Sequence, residues 1–97
     1  MDDILDYADS HLEDTIARLQ AFCRQPSIAA QGEGMEEMAE LVFRTLQQAG
    51  GSAELVRTPG YPVVLGRFDG VGPRTLMFYN HYDVQPPDPL ELWDSAP

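Results

Sequence analysis

The run Leu76-Met77-Phe78-Tyr79 constrains this chain more than any other stretch, because four large apolar residues follow one another without a polar break. Successive side chains on a strand point to opposite faces, so such a run leaves neither face free for water. It predicts a buried strand from Arg74 to Asn80. His81 and Asp83 come next, where the strand runs out into Val84-Gln85-Pro86-Pro87, and their spacing puts both side chains on one side. An imidazole with a carboxylate two residues on supplies half of a metal site. A ligating histidine normally donates its second ring N–H to a carboxylate or carbonyl, which fixes its tautomer and raises its basicity. The three-residue pattern alone does not specify a metal.

Apolar periodicity organises the rest. Ile4, Ala8, Leu12, Ile16, Leu19 and Cys23 recur at helical spacing, with Asp2 and Asp3 available to cap the start. This predicts a first helix over Asp3 to Cys23, stopped by Pro26. Cys23 falls in the apolar stripe and reads as a buried, inert thiol, while His11 beside it reads as a solvated or core-edge residue. Ser27 to Gly34 reads as a loop, with Gly32 and Gly34 supplying flexibility. A second helix presents Met35, Met38, Val42, Leu46 and Ala49 on one face and closes at Gly50-Gly51.

After Gly51 the pattern changes to strands. Ala53 to Arg57 and Val63 to Phe68 flank the turn Thr58-Pro59-Gly60-Tyr61-Pro62, and Asp69 to Pro73 turns the chain into the third strand. The predicted fold class is α/β, two helices packed on a small three-stranded sheet whose last strand ends at His81. Gly70 and Gly72 lie in a hairpin-like turn, so no Gly-rich nucleotide fingerprint is present.

Charge removes several function classes. Sixteen acids oppose six arginines, the net charge is −10, and lysine is absent. A Walker-type phosphate lysine and a Schiff-base lysine are therefore excluded. So acidic a surface is repelled by nucleic-acid phosphates and anionic membranes, which predicts neither as a partner. One cysteine permits no internal disulfide, and the amino terminus has neither the basic region nor the apolar core of a signal peptide. A cytoplasmic location is the expectation.

The wider segment Phe78-Tyr79-Asn80-His81-Tyr82-Asp83-Val84-Gln85-Pro86, followed by Asp88-Pro89-Leu90-Glu91-Leu92-Trp93, resembles the zinc metallopeptidases of the aminoacylase, carboxypeptidase G and carnosinase family. The His-Tyr-Asp-Val-Gln-Pro form is most similar to the dipeptidase branch. Phe22-Cys23-Arg24-Gln25-Pro26-Ser27-Ile28 is also similar to the family's opening, where a first helix ends in a Pro-Ser-Ile or Pro-Ser-Val loop. The resemblance runs over nearly the whole chain, and its specific part is Asn80 to Trp93. It implies that His81 is a ligand of a two-zinc centre, with manganese or cobalt as substitutes. Asp83 becomes the catalytic residue that orients His81. The reaction implied is hydrolysis of the amide bond of a dipeptide or an N-acyl amino acid.

The family also uses adjacent glutamates as base and ligand, but after the histidine in chain order. Glu36-Glu37 precedes it, on the first turn of a helix, and reads as a decoy that suits the helix dipole. The family's bridging aspartate, glutamate pair and later histidine are expected beyond Pro97. Residues 1–97 are accordingly expected to form an incomplete, amino-terminal portion of a metallopeptidase catalytic domain, inactive alone. The competing reading is a non-catalytic α/β association domain. A strand apolar on both faces, with helices covering one, needs a second cover: in a longer parent later segments would supply it, and in this short chain the open face predicts a homo-oligomer.

Overall fold

A computed structural model describes residues 1–97. The chain forms α1 (Asp2–Ser10), α2 (Leu12–Arg24), a 3₁₀ turn at Ala29–Gln31, α3 (Met35–Gln48), an antiparallel hairpin of β1 (Ser52–Val56) and β2 (Val63–Arg67), and a last 3₁₀ turn at Leu90–Leu92. The α/β class holds.

Helix α3 is the centre of the packing. Its apolar face buries Met35, Met38 and Ala39, and the helix lies across both strands of the hairpin. In the hairpin register Leu55 stands opposite Val64 and Ala53 opposite Gly66. Ala53, Leu55 and Val64 are half-buried toward the helix, and their neighbours in the strands are exposed. Gly66 sets the closeness of approach, since a Cβ there would stand 2.8 Å from Leu46 Cδ1. Helix α3 ends as its glycine pair predicts. Gly50 takes φ 89°, its N–H reaches Gln47 O at 2.9 Å, and the Gly51 N–H reaches Leu46 O at 3.1 Å. Those two bonds satisfy carbonyls that the last turn would otherwise leave open.

Two features differ from the sequence expectation. The first helix is two helices, broken at His11 with φ −112° and ψ 13°. Side chains there compete for the helix carbonyls: Ser10 Oγ donates to Tyr7 O at 2.9 Å, and His11 Nδ1 lies 2.8 Å from the same oxygen. The His11 ring also stacks on Tyr7 with 4.0 Å between centroids. Local bonds of this kind are the usual competitors of helix continuation. No residue of α1 or α2 is buried, so only α3 packs on the sheet.

The other difference is the third strand. Residues 74–80 form no ladder, and the sheet has two strands. Leu76, Met77, Phe78 and Tyr79 are 76–88% exposed. A strand apolar on both faces needs a neighbour for its backbone and a cover for each face, and one hairpin under one helix supplies neither.

Candidate metal half-site

The His81-Tyr82-Asp83 segment is held from two directions. Tyr82 Oη donates to Pro62 O at 2.6 Å, tying it to the turn between β1 and β2. Beyond it, the Val84 N–H donates to Ser27 O at 2.9 Å, tying it to the loop after α2. The two segments that carry the family resemblance, around Ser27 and around His81, are thus in direct contact.

The turn that receives Tyr82 is itself fixed. Thr58 Oγ1 accepts from the Gly60 N–H and donates to Tyr61 O, and Tyr61 Oη donates to Ala29 O at 3.1 Å. Pro62 and Ser27 are both buried. Burial pushes the Tyr82 hydroxyl above its ordinary value, assisted by the negative charges of Glu36 and Asp83 and by Tyr61. The hydroxyl therefore keeps its proton and remains a donor to Pro62.

The loop after α2 is built on Gly34. Ile28 and Glu33 exchange backbone bonds of 2.8 and 3.1 Å, closing a tight turn whose next residue, Gly34, takes φ 67° and starts α3. A Cβ at Gly34 would stand 1.9 Å from Pro26 O. Gly34 is therefore fixed by its conformation and by the approach of Pro26, where the sequence suggests only flexibility.

Within this frame His81 Nδ1 lies 3.0 Å from Asp83 Oδ1 and 2.9 Å from Asp83 O. A backbone carbonyl can only accept, so Nδ1 carries the proton. In a neutral ring Nε2 then presents its lone pair, and the imidazole is 76% exposed. His81 and Asp83 stand at the rim of an open groove of about 260 Å³ walled by Phe22, Cys23, Ser27, Met38, Tyr82 and Val84. Cys23 is exposed there, a correction to the buried thiol expected from its place in the helical stripe. A second depression, about 280 Å³, lies over the hairpin at Ser52, Ala53, Glu54, Leu65 and Arg67 and holds no imidazole or thiol.

The donor set fits one ligand and its orienting carboxylate, not a closed metal cage. No group of three His, Cys, Asp or Glu side chains gathers anywhere in residues 1–97. A catalytic zinc takes about three protein ligands and water. Glu36 and Glu37 contribute nothing toward one here, because they sit on the exposed first turn of α3 and Glu36 pairs with Arg57 at 2.7 Å.

No protein-family model matches the chain. Among solved structures it is similar to an M20 family metallo-carboxypeptidase, Sso-CP2 from Sulfolobus solfataricus, with 42% sequence identity and a TM-score of 0.80. The match covers 84% of this chain and 19% of that one. The chain has the fold of that part of a metallo-carboxypeptidase. It spans about a fifth of the neighbour's length. No helix of the chain is long and apolar enough to cross a membrane.

The pair at positions 81 and 83 was legible in the sequence, as was its same-side geometry. The struts from Tyr82 to Pro62 and from Val84 to Ser27 were not, since they join residues 20 and 57 positions apart. The signal that could have raised them is the coincidence of two family-like segments in one short chain.

Proposed function

We propose that residues 1–97 are the amino-terminal part of a zinc-dependent metallopeptidase of the M20 kind, which cleaves the amide bond of dipeptides or N-acyl amino acids. The observation that carries this reading is the His81–Asp83 pair, with Nδ1 held at 3.0 Å and Nε2 free. Identity of 42% to a metallo-carboxypeptidase supports it. Bound at this position, a pair of zinc ions would polarise the scissile carbonyl and supply a water of lowered pKa. His81 would hold one of them through Nε2. Asp83 would keep the Nδ1 proton in place, fix the ring orientation and raise the basicity of Nε2. The remaining ligands and the general base would come from polypeptide outside these residues.

The neighbour's description as a carboxypeptidase favours a second substrate reading, removal of a carboxyl-terminal residue from a longer peptide. A dipeptide, its amidated form and a tripeptide, offered to the complete enzyme side by side, separate the two. The site assignment is tested by Asp83→Asn in that enzyme. Turnover should fall roughly 10–100-fold with most of the metal retained, as for loss of a carboxylate partner of a ligating histidine. Full activity in Asp83→Asn would remove Asp83 from the mechanism.

A further inference from the structure

We propose that Tyr61 and Tyr82 are positioning residues for the metal half-site, whose hydroxyls close a ring of three hydrogen bonds that holds His81 and Asp83 in place. The inference rests on the reading of His81 as a metal ligand. Three segments far apart in sequence form the ring: the loop after α2, the turn between β1 and β2, and residues 81–84. Each is joined to both of the others. The Val84 N–H donates to Ser27 O at 2.9 Å, Tyr82 Oη to Pro62 O at 2.6 Å, and Tyr61 Oη to Ala29 O at 3.1 Å. Within each segment the two bonded residues lie one or two positions apart, so the ring has little slack.

One peptide unit links the ring to the imidazole. The Val84 N–H that donates to Ser27 O and the Asp83 carbonyl that accepts from His81 Nδ1 belong to the same planar group. Whatever fixes that plane fixes the acceptor that sets the His81 tautomer. Tyr82 shares one peptide unit with His81 and the next with Asp83, so anchoring its ring restrains the backbone on both sides. The far corners are stiff. Ile28, between Ser27 and Ala29, exchanges backbone bonds with Glu33. Thr58 Oγ1 bridges the Gly60 N–H and Tyr61 O, and Pro62 is buried with its φ locked by its own ring. The Tyr82 bond is partly buried and shielded from water, whereas Tyr61 is 40% exposed. Loss of the Tyr82 hydroxyl should therefore be the more costly.

The test uses the complete enzyme with Tyr82→Phe and Tyr61→Phe, which keep both aromatic rings. Zinc affinity, measured by chelator competition, should fall about 3–10-fold in Tyr82→Phe, the worth of one shielded hydrogen bond, and about 2-fold in Tyr61→Phe. The doubly substituted enzyme should lose less than the product of the two, because a ring already opened gains little from its other bond. In the metal-free enzyme the Val84 amide should exchange faster in both single variants. With cobalt in place of zinc, the visible absorption bands of Tyr82→Phe should shift. Wild-type zinc affinity and Val84 exchange in Tyr82→Phe overturn the proposal. So does a lowered urea midpoint with unaltered zinc affinity and cobalt spectrum, which makes the hydroxyl a stabilising group only. Losses that multiply show separate bonds and overturn the ring. If Tyr82→Phe does not fold, Tyr61→Phe carries the same test, with wild-type zinc affinity and Val84 exchange as the failing result. His81→Ala keeps the two readings apart. Undiminished zinc in that variant sinks the ligand assignment, whereas lost zinc there beside wild-type affinity in Tyr82→Phe sinks the positioning role alone.

Discussion

Replacing Gly34 by alanine should destabilise the chain by about 2–4 kcal/mol, a large share of what a domain of this size holds. Two costs add. At φ 67° a side chain loses about 1–2 kcal/mol against the right-handed conformation. The new Cβ would also overlap Pro26, 1.9 Å from its carbonyl oxygen and 2.6 Å from its carbonyl carbon. Backbone cannot rotate away as a flexible side chain can, so the loop at Pro26–Ile28 must move. That movement releases the Ser27 carbonyl from the Val84 N–H, and with it one of the two ties on the His81 segment. Gly60→Ala is the control. Its Cβ meets nothing nearer than Thr58 Oγ1 at 3.8 Å and its φ is not positive, so it should change stability by less than about 0.5 kcal/mol. Urea midpoints of the two variants decide the matter, and equal midpoints would show that the Gly34 turn is not under constraint.

The second large effect is on metal. On the proposed reading, His81→Ala in the complete enzyme should abolish turnover and lower the zinc content, because the proposed ligand is removed and no other imidazole within residues 1–97 lies near it. His11, the remaining histidine, sits at the α1–α2 break and holds its Nδ1 against Tyr7 O. Contrast with Asp83→Asn is the informative part, since loss of the carboxylate should leave the metal largely bound while slowing the reaction. Elemental analysis beside steady-state rates separates the two. Full zinc occupancy in His81→Ala would take His81 out of the metal centre.

How much of this was legible in the sequence depended on how local each cause was. Helix α3, its Gly50-Gly51 close and the β1–β2 hairpin follow from periodicity and turn residues within a few positions, and all appear where the pattern puts them. The His81–Asp83 approach is likewise local, a matter of two residues at a strand-like spacing. Arg74–Asn80 was read as a strand from its apolar run. Periodicity gives what a segment wants and not whether a partner exists, and within these residues none does. Cys23 fails in the same way, because its stripe is apolar but nothing lies over it. The break at His11 turns on side-chain bonds from Ser10 and His11 to one carbonyl, which an apolar repeat cannot register. The Tyr82–Pro62 tie is long-range and left no mark in local pattern.

The most direct test of the account compares hydrolysis of a dipeptide by the complete enzyme and by residues 1–97 alone, each stripped with chelator and then reloaded with zinc. One imidazole and one carboxylate cannot close a metal cage, so residues 1–97 should remain silent under both conditions. The complete enzyme should fall silent with chelator and recover with zinc, manganese or cobalt. Hydrolysis that persists in excess chelator, or turnover by residues 1–97 without any other polypeptide, would contradict the assignment of this chain as one part of a divided metal site.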